Sequence, residues 1–201
     1  MVTRSVIADP SPHSAIGTQS YFDHVYNPIC DSTLTREQQV TEFPLWVSGY
    51  YAHAPRLLAS FADLSYEEVE ASLSKKRVFN PPPLQVPTLQ RMSADEVKAM
   101  TAKHVWARSQ YIYQPDITDM TLFRENTRAA LQDASVWPRM RVRLVWAPMT
   151  VGEVALTAWD IASHAKVAQT NGGRPIQVVR SESGNHFVSA IHVHSQRAST
   201  H

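Results

Sequence analysis

The chain has 201 residues, 43% of them hydrophobic, with 19 Lys and Arg against 18 Asp and Glu for a net charge of +1. That length suits one domain, or one domain with an inserted subdomain, and the composition excludes disorder for the bulk of the chain. The charge balance excludes a basic footprint for nucleic acid, and the lack of an ~18-residue apolar stretch excludes a membrane span. The single cysteine, Cys30, excludes an internal disulfide and a multi-cysteine zinc site, and it permits a reducing compartment. The apolar run Val6-Ile7-Ala8 is too short for a signal-peptide core, and Ser199-Thr200-His201 is not a peroxisomal address. The expected setting is the cytoplasm, with the peroxisome as the alternative despite the missing tripeptide.

In chain order, Ser5-Val6-Ile7-Ala8 predicts a short strand ended by Asp9-Pro10, because proline donates nothing to a ladder and holds its predecessor extended. From Pro10 to Thr33 the chain reads as irregular, punctuated by proline and glycine. Leu34 to Lys103 reads as helical. Thr35 with Gln38, Ser65 with Glu68, and Ser93 with Glu96 are capping boxes; Leu64 and Val69 make a staple around the second. Lys75-Lys76-Arg77 suits a last helical turn, where cations meet the dipole. Pro81-Pro82-Pro83 and Pro87 make an extended connector. The third helix carries Val97 and Met100 with His104 or Val105 on one face, and another helix is predicted from Thr121 to about Gln132.

After Trp137-Pro138 the character changes. Val142 to Trp146 and Ile176 to Val179 read as strands, and Val151 to about Ala168 between them as a helix with Val154, Ala158, Ile161 and Ala165 on one face. Strands separated by helices imply crossovers and a parallel sheet, hence an α/β fold. Trp46, Trp106, Trp137 and Trp159 suit core or cap positions.

Three residues attract chemical readings. His186 lies in the loop Ser181-Glu-Ser-Gly-Asn-His-Phe187, just past a strand, where open α/β sheets place their chemistry; the plain reading is a surface histidine in a turn. Asp9 also follows a strand, as a carboxylate that holds an imidazole in one tautomer or as an ordinary Asp-Pro turn. Glu153 is the rival acid, or simply a first-turn carboxylate favoured by the helix dipole. His192, His194 and His201 are too few and too poorly partnered for a zinc site, so no metal and no cofactor is expected. Cys30 beside Asp31 is expected to have a raised pKa and is not read as a nucleophile. None of the six glycines frames a Gly-x-Ser-x-Gly elbow, and there is no phosphate-binding loop, dinucleotide fingerprint or His-Glu-x-x-His.

The stretches Val142-Arg-Leu-Val-Trp146, Val151-Gly-Glu-Val-Ala-Leu-Thr-Ala-Trp159, Arg174-Pro-Ile-Gln-Val-Val179 and Glu182-Ser-Gly-Asn-His-Phe187 resemble the C-terminal part of fungal α/β-hydrolase-fold proteins. The resemblance is greatest to those of secondary-metabolite and host-selective-toxin gene clusters. It implies that His186 is the triad histidine and that Asp9, ending the strand Val6-Ile-Ala-Asp-Pro10, is the triad acid, with Glu153 as the alternative. It implies a hydrolase core in residues 1–33 and 138–201 and a mainly helical cap or lid in residues 34–137. In this fold the nucleophile precedes the acid, so no nucleophile is expected within the chain, which reads as the C-terminal half of such a hydrolase. The tail departs from the family: Val188-Ser-Ala-Ile-His-Val-His194 stands where relatives carry a His-Trp-Asp-Glu-Pro-like run and a final helix.

The function this implies is action on an ester, thioester or other acyl intermediate in toxin or polyketide biosynthesis. The alternative is a non-catalytic binding or scaffold remnant. The expected partner is a small acyl substrate, with self-association through an uncovered sheet, and no nucleic acid.

Overall fold

The computed structural model of the chain describes residues 4–8, 10, 25–100, 125–126, 129–131 and 133–187. Asp9, Trp106, His104, His192, His194 and His201 lie outside the described residues. The elements are β1 (Arg4–Ala8), α1 (Arg36–Val47), α2 (Pro55–Ser60), a 3-10 turn (Phe61–Asp63), α3 (Tyr66–Ser72), a second 3-10 turn (Pro83–Gln85), α4 (Thr88–Arg91), α5 (Ala94–Met100), β2 (Arg141–Trp146), α6 (Gly152–Thr170) and β3 (Ile176–Arg180). Residues 125–126 and 129–131, inside the predicted Thr121 to Gln132 helix, are helical. Among the described residues no helix is long and apolar enough to cross a membrane.

The strands form one parallel sheet in the order β1-β2-β3. Its register aligns Ile7, Leu144 and Val178 across the three strands. The fold is α/β. Parallel neighbours need long crossovers, and α6 supplies the one between β2 and β3. Side chains alternate along β2: Val142, Leu144 and Trp146 are buried, whereas Arg141 and Arg143 are exposed. α6 packs on the buried face. Ala155, Ala158, Ala162 and Ala165 are all buried on this helix, and their small side chains suit a close approach to its neighbours. The helix ends where Gly172 takes a φ of 76° and the Gly173 N–H donates to the Ala168 carbonyl at 2.7 Å.

The three capping boxes form as the sequence predicts. Thr35 and Gln38 exchange hydrogen bonds at the start of α1, as do Ser65 and Glu68 at α3 and Ser93 and Glu96 at α5. Leu64 and Val69 flank the Ser65 cap and both enter the core. That core is continuous: Leu57, Phe61, Leu64 and Val69 of the helical segment meet Val142, Leu144 and Trp146 of β2 and Leu156 and Ile161 of α6. The Phe61 and Trp146 rings stack with centroids 4.0 Å apart. The Trp159 indole N–H donates to the Leu64 carbonyl at 3.0 Å, tying α6 to the entry of α3.

Two sequence expectations fail. Lys75-Lys76-Arg77 does not close a helix, because α3 stops at Ser72 and Leu73 is already extended with a ψ of 132°. The helix dipole therefore does not account for that basic run. Trp137 is no core residue: it is 63% exposed, on a turn whose φ of 51° turns its backbone left-handed.

Candidate functional site

All three strands point their carboxyl ends the same way, and the loops beyond β2 and β3 meet. The Ser181 N–H donates to the Trp146 carbonyl at 3.0 Å, and the Met149 N–H donates to the Gly184 carbonyl at 3.1 Å. The Tyr51 N–H donates to the Met149 carbonyl at 3.0 Å. His53 is 6% exposed and joins the same region, with Nε2 2.9 Å from the Thr150 carbonyl and Nδ1 accepting from the Ser74 N–H at 3.0 Å. Because Nδ1 accepts, the proton is on Nε2, and the ring is held neutral in one tautomer.

Glu153 sits in this region, in the first turn of α6. Its position matches an ordinary dipole-favoured carboxylate, but its surroundings do not. The residue is 7% exposed. Burial raises its pKa to about 7 from the ordinary 4.5, opposed by a hydrogen bond from Asn27 and by the nearby His186. The Asn27 Nδ2 donates to Oε2 at 3.0 Å from 126 residues away. Asn27 opens a turn closed by the Cys30 N–H donating to its carbonyl at 3.0 Å, and that turn covers the carboxyl group. Gly152, next to Glu153, is needed here: a Cβ at this position would lie 2.9 Å from Val25 Cγ1.

His186 is half-buried on the loop after β3. Gly184, at a φ of 130°, makes the bend that brings the loop back. Asn185 is fully buried and does more than tolerate a turn. Its Nδ2 donates to the Ser48 carbonyl at 2.5 Å and to Thr88 Oγ1 at 2.9 Å, while its Oδ1 accepts from the Phe187 N–H at 3.0 Å. His186 is thus carried between two anchored neighbours, with the Phe187 ring edge-on to the imidazole at 5.8 Å. Asn185→Ala would leave the Phe187 N–H unpartnered and would take from the Ser48 carbonyl one of its two donors, the Thr88 N–H remaining at 2.9 Å. It is expected to cost about 2 kcal/mol of stability and to broaden the His186 ring signals in NMR spectra. Unchanged stability and an unchanged His186 spectrum would contradict this.

His186 thus lies within electrostatic reach of Glu153, while Asp9 lies outside the described residues. The Cys30 thiol pKa is raised, as the sequence reading has it, but for other reasons. The residue is exposed overall, yet desolvation of its sulfur dominates and the Glu153 charge adds to it; Asp31 does not contribute. Sequence reasoning missed Asn27 and the bridging role of Asn185. The Asn27-Pro28 pair signals a turn, but nothing local shows that the turn closes over Glu153. Among the described residues no group of three His, Cys, Asp or Glu side chains is arranged to hold a metal ion. No protein-family model matches this sequence, no curated protein matches it, and no solved structure matches its fold.

Proposed function

We propose that the chain is an α/β-hydrolase-type protein that handles an ester, thioester or other acyl intermediate in fungal secondary-metabolite biosynthesis, with His186 as its proton carrier. The observation that carries the reading is that His186 lies within electrostatic reach of a buried carboxyl group, Glu153, beyond the carboxyl ends of parallel strands. Such sheets place ligands there, and an imidazole beside a carboxylate is the proton-transfer unit of acyl chemistry. Glu153 is the acid supported by its burial and by its electrostatic effect on the same region, and Asp9 is the competitor drawn from the family resemblance. The reading carries a cytoplasmic setting with it, supported by the single cysteine. It also carries self-association, supported by Val6, 63% exposed on the sheet face that bears Arg143.

The test is a titration of the purified chain with short-chain acyl N-acetylcysteamine thioesters, followed through the His186 ring protons and the Asn27 amide. Saturable shifts at both supports an acyl site; no shift at millimolar ligand overturns it. With no Gly-x-Ser-x-Gly serine in the sequence, hydrolysis of p-nitrophenyl acyl esters is expected to stay at background. Turnover abolished by His186→Ala would instead assign the nucleophile to a residue of this chain.

A further inference from the structure

A cavity opens where α1, the Tyr50-Tyr51 segment and the strap from Lys75 to Pro81 meet. It measures about 600 Å³, in the range of small-molecule sites. Its inner walls are aromatic: Trp46, Tyr50 and Tyr51 line it and are each at most 5% exposed. Phe79 stands at the rim, 88% exposed, which is unusual for so apolar a ring.

The same strap brings three cations to the cavity, the basic run that helix α3 does not use. Among the described residues neither Lys75 nor Lys76 has an ion-pair partner, and Arg77 reaches Glu42 only at 3.9 Å. The strap is held in place. The Val78 N–H donates to the Tyr50 carbonyl at 2.8 Å, and Ser74 Oγ donates to the Lys76 carbonyl at 2.9 Å. The Arg77 stem lies so close over Gly49 that a Cβ there would meet its Cδ at 2.8 Å. These contacts pay the ordering cost before any ligand arrives.

We propose that this cavity is a binding site for a flat aromatic anion, whose ring lies against the Trp46-Tyr50-Tyr51 wall beneath Phe79 and whose carboxylate faces Lys75, Lys76 and Arg77. Aromatic walls suit ring stacking and cation–π contact, and unpaired ammonium groups suit a carboxylate. The site is separate from the acyl reading of His186 and does not rest on it.

The test is calorimetric titration of the whole chain with 2-naphthoate and with the isosteric neutral 2-naphthamide. The acid is expected to bind about tenfold more tightly than the amide, and Lys75→Gln/Lys76→Gln to remove that difference. Both lysines are exposed, so the fold is expected to survive, as circular dichroism would verify. Raising NaCl from ~0.02 to ~0.5 M should weaken the acid and spare the amide, a check that needs no variant. Equal affinities, no binding of the acid at millimolar concentration, an unaffected double variant, or salt-independent binding of the acid would each overturn the proposal.

Discussion

Replacing Arg174 with methionine is expected to cost about 3–5 kcal/mol of stability, the scale of losing two or more hydrogen bonds from a charged donor. Arg174 is 2% exposed just before β3. Its guanidinium donates to the backbone carbonyls of Ala130 at 3.1 Å, Asp133 at 3.1 Å, Met140 at 2.5 Å and Val136. One side chain thus holds the irregular run that leads into β2. Methionine fills the volume but removes the donor from four carbonyls; those of Ala130, Val136 and Met140 belong to half-buried residues, whereas exposed Asp133 can turn to water. Lysine keeps the charge but has only three donors and no planar fork, so Arg174→Lys should lose about half as much. Urea denaturation checks both. A loss under ~1 kcal/mol for methionine would mean that water replaces the guanidinium there.

Glu153 makes the second large effect, and its sign is opposite to that of most carboxylates. Its folded pKa, about 7, lies above the ordinary 4.5, so between these values the folded chain holds a proton that the unfolded chain has released. The associated stability is fully present below 4.5 and is lost as pH rises through about 7. The displacement corresponds to about 3 kcal/mol. Glu153→Gln keeps an oxygen for the Asn27 amide and cannot ionise. At about pH 8.5 the variant should be the more stable by up to about 3 kcal/mol, and the advantage should vanish towards ~pH 4.5. The infrared band of the protonated carboxyl should be present near pH 6 and fade by about pH 8.5. A carboxyl already ionised at pH 6, or a variant with no gain in alkali, would contradict the burial of this charge.

The elements that could be read in advance are those whose signal is local. β2 and β3 are β-branched runs with Pro148 and Gly172-Gly173 marking their limits, and the Ser65 and Ser93 boxes announce α3 and α5 three residues at a time. The site was legible only in part. His186 announces itself by standing in a glycine-bearing loop after a strand. Glu153 looks like any first-turn acid, because its burial is created by a turn 126 residues away in sequence. Arg174 left no trace either: its acceptors are main-chain carbonyls, which every sequence supplies. The basic run at Lys75 misled for a related reason. Its charge suits a helix end, but nothing in the residues themselves shows that the backbone has straightened at Leu73.

The bonds beyond the strand ends also have a mechanical meaning. Ser48 is tied to Asn185, Gly184 to Met149, and Met149 to Tyr51, which the main chain returns to Ser48. The path closes on itself as a hoop. In an open chain of contacts one link can part while the others rest, but in a hoop each break throws its load on the remaining links. The three loops are therefore braced like stones in an arch rather than hinged like a door. The segments that carry His186 and Glu153 are therefore held in one arrangement by main-chain and amide bonds.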